Sequence, residues 1–220
     1  MPLCETFSSI QGEIQGIGKH CFFVRLFGCN LGSRCTVDCD TLYSWDAASG
    51  AAPARHVDPG TLVAEISGAR AWNVVMTGGE PLLHQASIAT VIRLATSDCK
   101  RPPRWYIETN GTIKPDEALA RNPDVFFNVS PKILPFHPGT FPIERSAFKL
   151  VVDRDSLERV SAAVSLLEPV VRHKTYLMPR SKTRAEYLAL APDVATWCAA
   201  RGLNFGPRLH LLAWDGKRGT

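Results

Sequence analysis

Three cysteines lie close together in a polar stretch of this 220-residue chain. Cys29, Cys35 and Cys39 are spaced C-x5-C-x3-C and directly follow an apolar run that predicts a strand. Three thiolates on one loop can hold a soft metal centre, but an all-cysteine zinc site normally uses two pairs, and the sequence offers no second pair. An iron-sulfur cluster bound through three irons leaves the fourth open to a ligand. The alternative is a chance grouping of free cysteines.

Three further predicted strands end in polar or glycine-rich turns. Residues 74–81 read Val-Val-Met-Thr-Gly-Gly-Glu-Pro, residues 106–111 Tyr-Ile-Glu-Thr-Asn-Gly, and residues 128–132 Asn-Val-Ser-Pro-Lys. Glycines at a strand end let a ligand approach the backbone closely, and Glu80 offers an acceptor for an ammonium group. Polar strand ends that point the same way predict a pocket. An ordinary tight turn is the alternative interpretation of the Gly-Gly pair.

Apolar runs that alternate with amphipathic stretches must position these residues. The pattern predicts strands at 21–27, 74–76, 105–107, 125–129, 148–152, 175–178 and 209–213, and helices at 61–69, 88–95, 116–121, 156–167 and 184–201. Asp58 and Asp155 are expected as N-caps. About six core strands predict an α/β fold, an incomplete parallel (β/α) barrel in one domain over residues 1–220, because a closed eight-fold barrel typically needs about 250 residues. Ligands are expected at the carboxyl ends of the strands.

Composition narrows the classes of function. The net charge of +4 is spread along the chain, so direct binding of nucleic acid has little electrostatic support. No apolar run approaches the roughly 20 residues of a bilayer span, and a soluble, cytoplasmic protein without a membrane partner is expected. The sequence lacks a P-loop, a G-x-G-x-x-G after a strand, a G-x-S-x-G and an H-E-x-x-H.

Cysteines after a strand followed by a Gly-Gly-Glu-Pro strand end resemble the radical S-adenosylmethionine (SAM) superfamily. Within it the chain resembles the 7-carboxy-7-deazaguanine synthase family, through motifs that run in order from residue 9 to residue 210. These are Ser-Ile-Gln-Gly-Glu at 9–13, Phe-Val-Arg-Leu-Phe-Gly-Cys-Asn-Leu at 23–31, Cys-Asp-Thr at 39–41, the three strand ends above, Met-Pro at 178–179 and Pro-Arg-Leu-His at 207–210. The superfamily usually shows C-x3-C-x2-C. Here both gaps are longer, so Cys35 is the least secure of the three ligands.

The resemblance implies cofactors and the residues that bind them. It implies a [4Fe-4S] cluster on Cys29, Cys35 and Cys39, with SAM on its open iron and Mg²⁺ on the hydroxyl of Thr41. Reduction of the cluster would then cleave SAM to a 5′-deoxyadenosyl radical. The residues implied around SAM are Asp38, Cys39, Asp40, Gly79, Glu80, Ser130, Pro131 and Lys132.

The implied substrate is a small pterin, 6-carboxy-5,6,7,8-tetrahydropterin, converted with loss of ammonia to 7-carboxy-7-deazaguanine for queuosine and deazapurine biosynthesis. The residues implied around it are Ile10, Gln11, Gly12, Arg25 and Thr77, with Glu13, Glu108 and His210 as secondary members. Arg25 stands inside an apolar strand, where a cation needs a partner. That partner is either the substrate carboxylate or a protein acid.

Family analogy also implies a homodimer and a reductant such as flavodoxin. Two other hypotheses are a radical SAM activase that generates a glycyl radical on a partner protein and a zinc-binding module without catalytic activity.

Overall fold

A computed structural model of the chain describes residues 1–35, 39–98 and 102–220. Asp38, one of the residues implied around SAM, lies outside the described residues. The strands are β1 (Pro2–Ile10), β2 (His20–Leu26), β3 (Arg55–His56), β4 (Asn73–Gly78), β5 (Arg104–Thr109), β6 (Val125–Val129), β7 (Ser146–Val152), β8 (Thr175–Pro179) and β9 (Asn204–Phe205). The helices are α1 (Pro59–Gly68), α2 (Gln85–Asp98), α3 (Glu117–Ala120), α4 (Leu157–Ser165), α5 (Pro169–Arg172), α6 (Arg184–Arg201) and α7 (Leu209–Trp214).

These strands form one sheet in the order β3-β1-β2-β4-β5-β6-β7-β8-β9. All pairs from β2 to β9 are parallel, whereas β1 pairs antiparallel with β2 and β3. Strands β2, β4, β5, β6, β7 and β8 are the six parallel core strands expected from the sequence. Within the described part, the end strands β3 and β9 do not pair, so the sheet is open.

Side chains alternate between two environments because successive residues of a strand point to opposite faces of a sheet. In β2, Val24 and Leu26 join the main apolar core with side chains of α1 and α2, whereas Arg25 lines a cavity. In β7, Phe148 joins the same core and Lys149 lines the cavity. The apolar residues of the strands therefore hold the helices, and the polar residues between them face the concave side.

Most helices follow the prediction from local sequence. Helix α6 spans the expected residues and begins with a capping box between Thr183 and Glu186. Asp58 caps α1 as predicted. The prediction that Asp155 caps α4 is wrong, because the carboxylate of Asp153 accepts the backbone N–H three residues further on, at 2.9 Å. None of the described helices combines the length and the apolar character needed to cross a membrane.

Two segments differ from the prediction. The strand expected at 209–213 is wrong: these residues begin α7, where the carbonyl of Arg208 accepts the N–H of Leu211 at 3.2 Å. Strand β1 was not predicted. Its alternation is interrupted by a register shift between Leu3 and Glu5 in the pairing with β2, so the period of two does not run through the segment.

Candidate active site

A cavity of about 360 Å³ lies at the carboxyl ends of the parallel strands. Its lining includes the ends of β2, β4, β5 and β7, and the loop between β1 and β2. Two further segments contribute to it: the described part of the cysteine loop (residues 27–35 and 39–45) and the C-terminal segment (residues 208–220). Ligands of parallel α/β sheets bind at this edge of the sheet.

The three predicted cluster ligands, Cys29, Cys35 and Cys39, are half-buried and line this cavity. The indole Nε1 of Trp45 donates a hydrogen bond to Cys39 Sγ over 3.4 Å, and Nδ2 of Asn110 lies 4.0 Å from Cys29 Sγ. Hydrogen bonds to a ligating sulfur orient it for metal binding. Among the described residues, no three His, Cys, Asp or Glu side chains already converge on one metal-ion position.

The end of β4 approaches the cysteine loop so closely that only glycine fits there. A Cβ on Gly79 would lie 2.1 Å from the carbonyl oxygen of Gly28 and 3.1 Å from Cβ of Cys29. Gly78 has a φ of 132°, and a Cβ there would lie 2.0 Å from the carbonyl oxygen of Leu26. Three thiols on one cavity, with a glycine-built surface beside the first, are a donor set that fits a cluster held through three irons.

Glu80, which is predicted to contact SAM, directs its carboxylate to backbone groups and does not line the cavity. Its side chain is fully buried: Oε1 accepts the N–H of Leu82 at 2.9 Å and Oε2 the N–H of Asn110 at 2.7 Å. Burial raises the pKa of this carboxyl above its ordinary value. The chain turns inward after Gly79 to begin a 3-10 turn, and Glu80 caps that turn. Its carboxylate thus joins the ends of β4 and β5.

The loop between β1 and β2 brings the predicted pterin-binding residues together. Ile10, Gln11 and Gly12 all line the cavity. Nε2 of Gln11 donates to Oε1 of Glu108 at 3.0 Å. A Cβ on Gly12 would lie only 2.2 Å from Nδ1 of His210, so this glycine lets the C-terminal segment pack directly on the loop.

A network of ion pairs, built on the buried residues Glu13, Lys149 and Arg208, runs through the wall of the cavity. Glu13 pairs with Nζ of Lys149 and, at 2.9 Å, with Nε of Arg208. Nζ of Lys149 also lies 3.6 Å from Oε2 of Glu108. Nη2 of Arg208 lies 2.8 Å from Oδ2 of Asp40. These ion pairs connect the loop after β1, the strands β5 and β7, the cysteine loop and the C-terminal segment.

The ion pairs determine how these groups titrate. Burial alone would raise the pKa of Glu13, but Lys149 and Arg208 hold it well below its usual range. Burial also opposes ionisation of Asp40, yet Arg208 keeps the pKa of that carboxyl lowered. Burial lowers the pKa of His210. At neutral pH we therefore expect two ionised carboxylates and a neutral imidazole in this wall.

Residues of the loop after β6 line two different cavities. Ser130 lines the main cavity, and its Oγ accepts a hydrogen bond from Nζ of Lys132 at 2.9 Å. Pro131 instead lines a neighbouring cavity of about 390 Å³, which Lys132 also borders. Burial lowers the pKa of Lys132.

No model of a protein family matches the chain, but individual relatives match it over nearly all its length. The 7-carboxy-7-deazaguanine synthase of Pyrobaculum aerophilum is 33% identical over 98% of this chain and 95% of the relative. That of Hyperthermus butylicus is 35% identical over 94% of this chain and 90% of the relative. The chain belongs to the 7-carboxy-7-deazaguanine synthase family.

Solved structures agree with this membership. The crystal structure of QueE from Escherichia coli matches with a TM-score of 0.67 and 25% identity, over 95% of this chain and 94% of that chain. Streptococcus suis SuiB, bound to its precursor peptide SuiA, shares the fold at a TM-score of 0.54 and 14% identity, over 83% of this chain and 46% of SuiB. The predicted incomplete barrel of the radical SAM type is confirmed.

In this member of the 7-carboxy-7-deazaguanine synthase family, Arg25 is bound to a protein acid. Its Nε lies 2.8 Å from Oε1 of Glu5, which also accepts the hydroxyl of Tyr43 at 3.2 Å. Oε2 of Glu5 lies 3.1 Å from Nε of Arg218. The salt bridge considered as an alternative is therefore present, while Arg25 and Thr77 both line the cavity. Burial raises the pKa of Tyr43 to about 12, so its hydroxyl remains a donor.

Thr41 also lines the cavity, with Oγ1 3.5 Å from Cys39 Sγ. Lys149, Glu5 and Trp45 are not among the residues that the sequence predicts for the site, and Arg208 is predicted only as part of its motif. Lys149 carries the signal that singled out Arg25, a lone cation inside an apolar strand. Glu5 lies on the unpredicted strand β1.

Proposed function

We propose that this member of the 7-carboxy-7-deazaguanine synthase family converts 6-carboxy-5,6,7,8-tetrahydropterin into 7-carboxy-7-deazaguanine, with loss of ammonia. The observation that carries the proposal is that the three thiols and the set of pterin-type polar residues open into one cavity. Similarity to synthases of that name over nearly the whole chain supports it. The product would enter queuosine and deazapurine biosynthesis.

The cysteine side of the cavity would hold the cofactors. Cys29, Cys35 and Cys39 would bind a [4Fe-4S] cluster, beside which the backbone of Gly79 leaves room for SAM. When bound, these groups supply the 5′-deoxyadenosyl radical that removes one hydrogen atom from the substrate. The other residues proposed to contact SAM are Asp38, Cys39, Asp40, Ser130, Lys132 and, from the neighbouring cavity, Pro131. Glu80 would act by holding Gly79 in place.

The rest of the cavity wall carries both a cation and carboxylates, which can bind the carboxylate and the N–H groups of a carboxypterin. The guanidinium of Arg25 would bind the substrate carboxylate, with Glu5 fixing its direction from behind. Gln11, Gly12 and Glu108 would bind the polar edge of the pterin through amide, backbone and carboxylate groups. Ile10 and Thr77 would complete the contact surface. The ionised Glu13 offers a further acceptor for ring N–H groups, and Lys149 keeps it charged.

We also propose that Mg²⁺ binds at the Thr41 hydroxyl and accepts oxygen atoms of the substrate. A single protein ligand is sufficient, because Mg²⁺ retains water and binds substrate oxygens readily. The proposal extends to a cytoplasmic homodimer that receives electrons from a reductant such as flavodoxin. Sedimentation of the loaded protein tests the dimer.

The experiment is anaerobic reconstitution followed by a product assay. We expect about four irons and four sulfides per chain. Incubation with SAM, a reductant, Mg²⁺ and the carboxypterin should give 7-carboxy-7-deazaguanine by mass spectrometry. Cys39→Ala should lose the cluster, and Cys198→Ala should keep it, because Cys198 is buried in a separate apolar core.

Each alternative has its own outcome. Zinc without iron or sulfide would indicate a binding module, and the enzymatic proposal would be rejected. SAM cleavage that leaves the pterin unchanged would favour an activase of a partner protein. Retention of the cluster by Cys35→Ala would reject Cys35 as the third ligand.

A further inference from the structure

Arg208 contacts three separate segments of the cavity wall. Its Nε donates to Oε1 of Glu13 at 2.9 Å, its Nη2 to Oδ2 of Asp40 at 2.8 Å, and its Nη1 to the carbonyl of Ser181. Only 9% of the residue is exposed. The partners lie 195, 168 and 27 positions away along the chain. One planar group thus joins the loop after β1, the cysteine loop and the loop after β8.

The position of Arg208 in the fold explains this reach. The residue follows β9, at one end of the strand order, whereas Glu13 follows β1, next to the other end. The open sheet curves until these ends approach, and Arg208 spans the opening between them. The backbone N–H of Leu209 donates to the carbonyl of Gly12 at 2.8 Å, which docks the same segment a second time.

The charges make the contact specific to a guanidinium. Glu13 and Asp40 are both acidic, and each has a carboxylate oxygen within 2.9 Å of a guanidinium nitrogen of Arg208. A cation between two carboxylates reduces their mutual repulsion. Arginine presents donors on three nitrogens in one plane, whereas a lysine ammonium is a point charge that cannot reach three diverging acceptors.

We propose that Arg208 is a positioning residue that fixes residues 39–41, on the SAM side, against residues 11–13, on the pterin side. Its guanidinium nitrogens are all directed to protein groups of the wall. Its effect is to set the distance between the two ligands, on which transfer of a hydrogen atom depends steeply. The inference rests on the proposed function for its consequence in catalysis, but the link between the two segments is a property of the protein alone.

Hydrogen exchange of the metal-free protein tests the link directly. In Arg208→Gln we expect faster exchange of amides in residues 39–45 and in residues 11–14 together. Asp40→Asn should affect the first segment and Glu13→Gln the second, so the link is tested even if Arg208→Gln does not fold. Arg55→Gln is the matched control, since Arg55 forms an exposed ion pair with Glu65 outside the cavity. Wild-type exchange in residues 39–45 of both Arg208→Gln and Asp40→Asn would overturn the proposal.

The loaded enzyme distinguishes positioning from a general loss of structure. In Arg208→Gln we expect formation of the deazapurine to fall on the order of 100-fold, as for a displacement of about 1 Å. SAM cleavage should fall much less, so that 5′-deoxyadenosine accumulates without product. Arg208→Lys should recover part of the coupling, because it keeps a cation between the two carboxylates. An equal fall in cleavage and product would overturn the positioning role. A wild-type protein that makes no deazapurine would reject the proposed function but leave the exchange result intact.

Discussion

The carboxylate of Glu80 accepts the backbone N–H of Asn110 at 2.7 Å, and this bond holds the end of β4 against the end of β5. The other carboxylate oxygen accepts the N–H of Leu82, and the side chain is fully buried. Gly79, just before Glu80, forms the surface beside Cys29, and Asn110 directs its amide toward the same sulfur. A carboxylate outside the cavity therefore sets two of its walls.

We expect Glu80→Gln to lower the free energy of unfolding by about 1–3 kcal/mol at neutral pH, because the amide group turns a donor toward a buried N–H. The pKa of Glu80 is raised in the folded protein. Its stabilising contribution is therefore complete below the pKa of an unfolded glutamate, roughly 4.3, and declines as the pH rises through the raised pKa. The difference in free energy of unfolding between wild type and variant should therefore increase as the pH is lowered. Urea unfolding measures it, with the exposed Glu158→Gln as control. Equal stability of Glu80→Gln and wild type would contradict this account.

Arg25→Lys should weaken binding of the substrate carboxylate. A charge-assisted hydrogen bond contributes about 1.5–3 kcal/mol, so the KM for the carboxypterin should rise roughly 10- to 150-fold. A pterin without the carboxylate should bind to both proteins alike. Arg154→Lys, at an exposed ion pair with Asp193, is the control. If Arg25→Lys raises the KM of both pterins by the same factor, the guanidinium does not bind the carboxylate.

Lys149→Met should be among the most destabilising substitutions, because it leaves the buried Glu13 and the half-buried Glu108 without their shared cation. Loss of one partner of a buried ion pair typically costs about 3–5 kcal/mol. A second substitution, Glu13→Gln, should recover part of that loss. Urea unfolding of both variants, with the exposed Lys114→Met as control, checks the expectation.

The same variant has a pH dependence of opposite sign to that of Glu80. The pKa of Glu13 is lowered in the folded wild type, so the stability it contributes is present above the unfolded value, roughly 4.3, and is lost as the pH falls through the lowered pKa. Without Lys149 this pKa rises. The deficit of Lys149→Met should therefore shrink as the pH is lowered toward the unfolded value of roughly 4.3, and a constant deficit would exclude Glu13 as its origin.

Trp45→Phe should lower the reduction potential of the bound cluster. The indole N–H donates to Cys39 Sγ at 3.4 Å, and such donors stabilise the more negative, reduced state. A redox titration followed by electron paramagnetic resonance measures the shift. Trp72→Phe is the control, because 64% of Trp72 is exposed and it lies outside the cavity. Equal potentials for wild type and Trp45→Phe would show that this bond does not tune the cluster.

Gly79→Ala should reduce cluster loading and cost about 1–3 kcal/mol, because its methyl group would overlap the carbonyl of Gly28. Gly139→Ala meets no atom within 4 Å and should behave as wild type. Iron content and unfolding free energy provide the two measurements. Full iron loading of Gly79→Ala would mean that the close approach is not needed.

Sequence pattern predicts the parallel part of this fold well because the core strands are short, mostly apolar runs and several of them are followed by a helical period. Residues 125–129 and 184–201 were predicted with the observed bounds. Strand β1 is not predicted because its buried residues do not alternate along the strand. Strands β3 and β9 are not predicted because two residues are too few to show a period. The segment from Leu209 is a short apolar run like those of the strands, but its N–H groups bond back to the carbonyl of Arg208 and begin a helix.

The candidate site is likewise predicted in part: its local motifs are visible in the sequence, whereas its contacts between distant segments are not. Cysteine spacing and strand-end motifs bring Cys29, Gly79 and Gln11 to one cavity, because those signals are local. The partner of Arg25 and the direction of the Glu80 carboxylate depend on contacts between distant segments. Glu5 and Arg25 illustrate this: their charges are visible in the sequence, but the pairing of β1 with β2 decides that they meet.

The contact between Glu13 and Arg208 can form only late in the synthesis of the chain, because its two residues are far apart in the sequence. At a synthesis rate of roughly 5–20 residues per second, the 195 positions between them correspond to on the order of 10–40 s on the ribosome. Throughout that interval the nascent polypeptide presents its thiols without Arg208, which anchors Asp40 beside Cys39. The cavity that the thiols share is therefore complete only after residues 208–220, which form part of its lining, have been synthesised.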